Sequence, residues 1–302
     1  QRQFGNDLVA EVAYAGNKGT KLNRRECYTM EPRLANAAIP TSVHPTLRML
    51  FPFVNFEDQM VTLADWCVTS SRANSNYHSL AGRFEKRYAG GLSFLMGFVW
   101  SKALSDSQPF SGGSNDTGNR LQDIFNARGE RGLAPFDHRL RFVSSFLYEL
   151  PIGRGKPVGG QVGGAVERFI GGWAVNGIAT MQSGYPVTVM RSGDPLGIGL
   201  ENSVRPNLVC NPNMPRGERT LDAFFRTSCF ATPGAGLFGS AARGVVTGPG
   251  TNSWDLVLLK NIAIRESVRA QFRGEFFNAF NHPEWGLPGR LYGASGFGVV
   301  SS

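Results

Sequence analysis

The chain has 302 residues and a formal net charge of +8, from 31 Lys plus Arg against 23 Asp plus Glu. Its hydrophobic content of 41% excludes a disordered chain, and 38 glycines with only 18% charged residues exclude a helical bundle or a coiled coil. The basic residues are spread along the sequence without a nucleic-acid motif, so we expect a mildly cationic surface and no nucleic-acid partner.

Period-two alternation of apolar and polar residues predicts β-strands along the chain. In 92–101, Leu92, Phe94 and Met96 face one way, whereas Ser93 and Leu95 face the other. The alternating segments, in chain order, are 8–15, 77–89, 92–101, 137–150, 173–182, 254–264 and 268–277. Strands of about ten residues cross a bilayer when they are tilted, although the strands of a soluble sandwich alternate too. No apolar run approaches the ~18 residues of a membrane helix.

The connections between these segments alternate between short and long. Short turns at Gly90-Gly91 and Arg265-Glu266 contrast with long connections at 17–76, 105–135 and 184–250. Loops this long are uncommon in a compact soluble domain, whereas short turns at one rim and long loops at the other are typical of an outer-membrane barrel. The connection 151–172 is an exception, because it is long but belongs to the short-turn rim.

Aromatic residues near the predicted strand ends give a second indication. Amphipathic rings favour the two interfaces of a membrane, although ordinary core packing would also use them. The rings predicted to form girdles are Tyr88, Tyr148 and Trp173 at the short-turn rim and Tyr14, Trp100 and Trp254 at the long-loop rim.

Six runs, in order, resemble the C-terminal barrel of Oar-like TonB-dependent transporters. The resemblance covers nearly the whole chain, and its specificity comes from the order of the runs, since each one is mostly strand and turn chemistry. The runs are LVAEVAYAGNKGTKL (8–22), YHSLAGRFEKRYAGGLSFLMGFVWSKALSD (77–106), FDHRLRFVSSFLYELPIGRGK (136–156), WAVNGIATMQSGYPVTV (173–189), FGSAARGVVTGPGTNSWDLVLLKNI (238–262) and FRGEFFNAFNHP (272–283).

The resemblance implies an exported protein of the bacterial cell outer membrane, with an N-terminal carboxypeptidase-regulatory-like domain, a plug and a barrel of about 22 strands. Its partners would be the lipid bilayer, its own plug, the TonB complex and an unidentified substrate. Seven strands are too few to close such a barrel, and open edges cannot face lipid. We therefore expect an all-β fold in which residues 1–302 are a partial antiparallel barrel domain and a fragment of a longer transporter.

Seven charged residues fall on the polar sides of the predicted strands. In a barrel they would face the lumen and contact the plug or a passing substrate, or they would form a structural charge ladder between neighbouring strands. The candidates are Arg83, Glu85, Arg87, Arg139, Arg141, Arg273 and Glu275.

The sequence predicts no enzyme and no cofactor. Glu85 and Glu275 stand beside arginines without a nucleophile, and the four histidines and four cysteines are scattered, which disfavours a zinc site. The glycine-rich stretch 153–164 lacks a phosphate-loop pattern, because Pro157 follows Lys156.

The cysteines and the basic residues of the long loops suggest further features. Cys210 and Cys229 are predicted either to form a disulfide, as an oxidising compartment allows, or to be free thiols, and Cys27 with Cys67 could pair in the same way. Loop arginines would create a cationic outer vestibule or serve solubility alone; they are Arg48, Arg120, Arg191 and Arg205.

Lys260 falls on a predicted apolar side, together with Trp254 and Leu256. A lysine facing lipid at mid-depth would cost about 2–4 kcal/mol. We expect it to face inward or to lie near an interface.

Three functions are compatible with these patterns. The first, which the resemblance favours, is the barrel of a TonB-dependent receptor; the second is an outer-membrane adhesion or structural barrel without active transport. The third is a soluble all-β domain that binds a partner through its loops.

Overall fold

A computed structural model describes residues 1–27, 67–107, 121–123, 126–193, 195, 202–234, 237–265 and 268–301. Its main sheet contains nine strands: β1 (Arg2–Phe4), β2 (Leu8–Cys27), β3 (Cys67–Ala89), β4 (Leu92–Ser105), β5 (Gly132–Leu133), β6 (Leu140–Glu149), β7 (Trp173–Gln182), β13 (Thr251–Arg265) and β14 (Val268–Phe276). Six two-residue strands lie outside it: β8 (Pro186–Val187), β9 (Met190–Arg191), β10 (Asn207–Leu208), β11 (Phe230–Ala231), β12 (Val246–Thr247) and β15 (Leu291–Tyr292).

The main sheet is an antiparallel meander that contains all seven predicted strands. Its order is β1-β2-β3-β4-β6-β7-β13-β14, with β5 paired beside the end of β4. Every long strand is therefore hydrogen-bonded to the long strands that precede and follow it in sequence. The sheet is open, because β1 and β14 are not paired with each other.

The strands β2 and β3 are longer than the alternation predicted. The boundary of the predicted loop 17–76 was wrong, since β2 continues to Cys27 and β3 begins at Cys67. These extensions carry small and polar residues, which period-two hydrophobicity cannot detect. Cys27 and Cys67 are register partners at the far ends of the two strands, and their disulfide stays a prediction.

The strands are staggered in one direction across the sheet. One continuous line of register partners consists of Phe276, Leu256, Gly177, Phe146, Phe94, Lys86 and Leu8. The line starts at the last residue of β14, at the long-loop rim, and ends at the first residue of β2, at the short-turn rim. Strands that tilt against the axis of a barrel have this stagger.

The register sorts the side chains into two faces, because directly opposed residues point to the same side. One row on the first face, the apolar face, is Tyr14, Leu80, Trp100 and Leu140. Its neighbour on the second face, the polar face, includes Ala81, Val99, Arg141 and Gln182. The apolar face is open to its surroundings: Val12 and Phe272 are 71% and 61% exposed. A contiguous exposed apolar surface marks an interaction with a partner or a membrane.

The predicted girdle residues lie on the apolar face wherever the register defines their side. Tyr14, Trp100, Trp254, Tyr148 and Trp173 all belong to it, while the register shifts before Tyr88. The sequence predicted that Tyr14 and Trp100 end their strands. This was wrong, because β2 and β4 continue beyond them. The aromatic row at the long-loop rim therefore lies inside the sheet, with polar strand extensions beyond it.

The described parts of 106–139, 183–250 and 277–301 fold together at the long-loop rim, and we call them the cap. Strands β8 and β12 pair with each other and extend the β7–β13 hairpin, and β9 pairs in parallel with β15 from the C-terminal segment. The cap has its own core, formed by Val187, Val189, Phe224, Phe225, Phe230, Ala241, Val246 and Val300. The long loops predicted at 105–135 and 184–250 are thus largely folded where they are described.

The exceptional connection 151–172 contains one short helix, α1 (Gly164–Ile170). In the part of the chain that the structure describes, no helix is long and apolar enough to span a membrane.

Candidate functional site

The polar face collects the charged residues that the sequence singled out. Arg83 and Glu85 on β3, Arg141 on β6, and Arg273 and Glu275 on β14 all lie on the side opposite Trp100. Two further candidates flank these strands. Arg139 precedes β6 by one residue and shares the side of Arg141 by alternation, whereas the register shift between Lys86 and Ala89 leaves the side of Arg87 undefined.

Charges on the polar face pair along single strands. Arg83 Nη2 lies 2.7 Å from Glu85 Oε2, and Arg273 Nε lies 2.7 Å from Glu275 Oε1. Neither pair joins neighbouring strands, and the β4 residues opposite Arg83 and Glu85 are Gly97 and Leu95. On the other side Glu11 of β2 lies directly opposite Arg83, so the ladder between neighbouring strands stays a prediction. All four side chains are at least 29% exposed, so these pairs add little stability and present fixed charges to a neighbour.

The cap covers the polar face at its long-loop end. Along the end of β4, Ser101, Ala103 and Ser105 are buried, whereas Trp100 and Lys102 on the other side are exposed. Arg24 on β2 is also buried and pairs with Glu26 at 2.6 Å, but register shifts on either side of Leu22 leave its side of the sheet undefined. The outer end of the polar face is therefore closed off by folded loop structure.

Asp137 supplies a hydrogen-bond acceptor to the end of β4, at a level that β6 does not reach because β6 begins only at Leu140. Ala103 N donates to Asp137 Oδ1 at 2.6 Å, and Ala134 N donates to Ala103 O at 2.9 Å. Asp137 is 5% exposed, and burial raises the pKa of its carboxyl group, although the hydrogen bond from Ala103 N and the charges of His138, Lys102 and Arg139 oppose the shift. The residue was predicted inside a strand, but it lies in the loop before β6.

Substitution of Asp137 separates its hydrogen bond from its charge. Between the unfolded pKa of about 3.9 and the raised folded pKa, the folded chain binds more protons, so the carboxyl group lowers stability as pH rises through this window. Asp137→Asn keeps an acceptor for Ala103 N and should flatten the pH dependence of cap stability. Asp137→Ala removes the acceptor and should cost about 1–3 kcal/mol. Amide exchange of Ala103 at several pH values measures both effects; equal losses in the two variants would contradict the assignment.

A buried ion pair joins two long connections inside the cap. Arg205 Nη1 lies 2.9 Å from Glu130 Oε2, Arg205 Nη2 lies 3.0 Å from Glu130 Oε1, and their side chains are 5% and 1% exposed. Gln122 is bonded to both partners: its N donates to Glu130 Oε1 at 2.9 Å, and its Oε1 accepts from Arg205 N at 2.7 Å. Arg205 Nε also donates to Ala241 O at 2.8 Å.

This pair changes the predicted role of Arg205. Its charge is neutralised by Glu130 inside the cap, so Arg205 does not contribute to a cationic vestibule. Of the other arginines predicted there, Arg191 is half-buried, and Arg48 and Arg120 lie outside the described residues. The sequence offered no signal for the role of Glu130 or Gln122, since their contacts with Arg205 span 75 and 83 residues of the chain.

Cys210 and Cys229 are joined by a disulfide, with their Cα atoms 4.9 Å apart. The bond lies next to the paired strands β10 and β11, and Val209 N donates to Cys229 O at 2.9 Å. Cys229 is completely buried beside the cap core, whereas Cys210 is exposed. The disulfide therefore closes a loop between residues 19 apart in sequence, beside that core.

Lys260 lies on the apolar face near the short-turn rim, opposite Trp173 and Phe272. It is only 5% exposed. Its ammonium group donates to Phe169 O at 3.2 Å and to Gly171 O, and it lies 5.1 Å from the centre of the Trp173 ring. Position near a rim is one of the two arrangements the sequence predicted. The carbonyls at the end of α1 explain how the charge is tolerated there.

Loss of the Lys260 ammonium group should loosen α1 from the sheet. Lys260→Met keeps the length of the side chain but leaves the carbonyl of Gly171 without this donor, which costs about 1–3 kcal/mol when buried. Amide exchange over 164–171 should accelerate by about fivefold to a hundredfold. The matched control is Lys156→Met in the same connection, where an exposed pair with Glu149 at 3.1 Å is lost; equal acceleration in both variants would contradict this role.

In a comparison with known protein families, a family model described as outer membrane beta barrel domain matches residues 1–302. No curated protein and no solved structure matches the chain. Among the described residues there is also no group of three or more His, Cys, Asp or Glu that could hold a metal ion.

Proposed function

Because the chain belongs to the outer membrane beta barrel domain family and is thereby located in the bacterial outer membrane, we propose that it supplies wall and external cap to a TonB-dependent receptor. In this proposal the complete protein takes up a substrate, and this chain contributes no catalysis. The apolar face contacts lipid, the polar face lines the lumen, and the cap lies on the extracellular side. The plug and the TonB-contacting segment belong to the complete receptor.

The observation that carries this proposal is the position of the cap over the outer end of the polar face. Ser101, Ala103 and Ser105 are buried there by folded loops, so a substrate would reach the lumen only past the cap. Below the cap, the exposed pairs Arg83–Glu85 and Arg273–Glu275 offer fixed charges to a plug or a substrate.

The test is the depletion of nutrients from growth medium by cells with the complete protein, cells without it, and cells without TonB. We expect at least one compound to be depleted only when both proteins are present. The double variant Arg273→Gln/Glu275→Gln should slow that depletion, and the matched double variant Lys156→Gln/Glu149→Gln at the opposite rim should not.

Equal depletion in all three strains would overturn the transport proposal. Loss of surface attachment in the strain without the protein, combined with equal depletion, would favour the adhesion or structural barrel instead.

A further inference from the structure

A cleft of about 950 Å³ lies where the long-loop ends of the strands meet the cap. Its floor is formed by one row of the apolar face, which consists of Tyr14, Leu80, Trp100 and Leu140. Ser79, Ser101 and Arg139 of the polar side also border it; the two serines are buried, whereas Arg139 is exposed. The apolar floor of the cleft is continuous with the surface that we assign to lipid.

Basic groups surround the apolar floor. His78 and Lys102 are register partners one row further toward the long-loop rim, and both are exposed. Tyr14 Oη lies 2.6 Å from His78 Nδ1, which fixes the ring beside the floor. Arg216 and Arg219 of the cap also line the cleft, and Arg219 is anchored by a 2.8 Å bond from its Nε to Met214 O.

Negative charge is almost absent from this cleft. Asp137 is the single acidic residue in its lining, and its carboxylate is engaged by Ala103 N. Lys102 and Arg216 are exposed and form no ion pair with a described residue. A cationic rim beside an apolar floor matches an amphiphile with an anionic head and apolar tails.

We propose that this cleft binds the phosphorylated headgroup of an outer-leaflet lipid. The tails would lie along Leu80 and Trp100 on the apolar face, and the phosphate would contact Lys102 and Arg216. The position agrees with the membrane interface, because tyrosine and tryptophan at the end of an apolar band mark the level of the headgroups. Basic side chains at that level attract anionic lipids.

The test uses the complete protein in nanodiscs of phosphatidylcholine, alone or with bisphosphorylated lipid A, and counts retained lipid by native mass spectrometry. We expect lipid A to be retained preferentially. Each lost charge should weaken retention about fivefold, so Lys102→Gln/Arg216→Gln should reduce it about 25-fold. The matched control Arg128→Gln/Arg265→Gln removes two exposed basic residues that do not line the cleft, and it should retain lipid A normally.

Unchanged retention in Lys102→Gln/Arg216→Gln, or the same loss in the control, would overturn the proposal. Competition by inorganic phosphate as effective as that by lipid A would also overturn it, since it would assign the cleft to a free anion. The readout does not depend on uptake, so it separates this proposal from the receptor function.

Discussion

Glu130→Ala is expected to open the cap while leaving the sheet below it intact. The substitution removes the carboxylate that forms two hydrogen bonds with the Arg205 guanidinium. The guanidinium then has no counter-charge, although its side chain is only 5% exposed. Removal of one partner from a buried pair costs about 3–5 kcal/mol. The cost falls on the cap, because the pair and Gln122 hold together segments from two connections that share no long strand.

Proteolysis of the complete protein in membranes measures this effect. If cleavage follows the population of opened cap, its rate within 183–250 should rise about 10²- to 10³-fold. Glu218→Ala is the matched control, because it removes an exposed pair with Arg226 at 3.2 Å, which is worth about 0–1 kcal/mol. A similar cleavage rate in the two variants would contradict the structural role of Glu130.

Removal of the disulfide is expected to have the second largest effect. The bond closes a loop between residues 19 apart in sequence, and such cross-links contribute about 2–4 kcal/mol. Cys210→Ala/Cys229→Ala avoids a buried hydroxyl group at position 229, where the native side chain is completely buried. The paired strands β10 and β11 should then separate more readily from the cap core.

Peptide mapping and proteolysis test the disulfide together. Without reductant, peptides containing Cys210 and Cys229 should be recovered linked, and cleavage between them should be slow. Reductant should accelerate cleavage of the native protein to the rate of the double variant, and it should not affect the variant at the same bonds. Recovery of both thiols alkylated from unreduced protein would contradict the bond.

The strand pattern was predictable wherever one face of the sheet is apolar. Residues 92–101 alternate because Phe94, Phe98 and Trp100 lie on the exposed apolar face while Gly97 and Val99 lie on the other. The same logic failed beyond Tyr14, since the rest of β2 carries glycine, asparagine and lysine. There the backbone is strand, but no hydrophobic difference between the faces remains to reveal it.

The contacts of the cap and of Lys260 had no local signal in the sequence. Arg205 is hydrogen-bonded to Glu130, 75 residues away in sequence, and Lys260 to the carbonyl of Gly171, 89 residues away. Such contacts depend on how folded segments meet, which neither periodicity nor residue spacing records. Alternation did predict that Arg83, Glu85 and Arg141 lie on the polar sides of their strands. In each strand these residues alternate with apolar residues that point to the other side.

The measurement that tests the account most directly is the environment of two adjacent positions on β4 in the complete protein in membranes. Phe98 lies on the apolar face and Val99 on the polar face. Spin labels on Phe98→Cys and Val99→Cys would be probed by electron paramagnetic resonance, with oxygen as the lipid-soluble relaxant and a nickel chelate as the water-soluble one. The account predicts strong relaxation by oxygen at position 98 and by the nickel chelate at position 99. The reverse pattern, or the same environment at both positions, would contradict the assignment of the two faces to lipid and lumen.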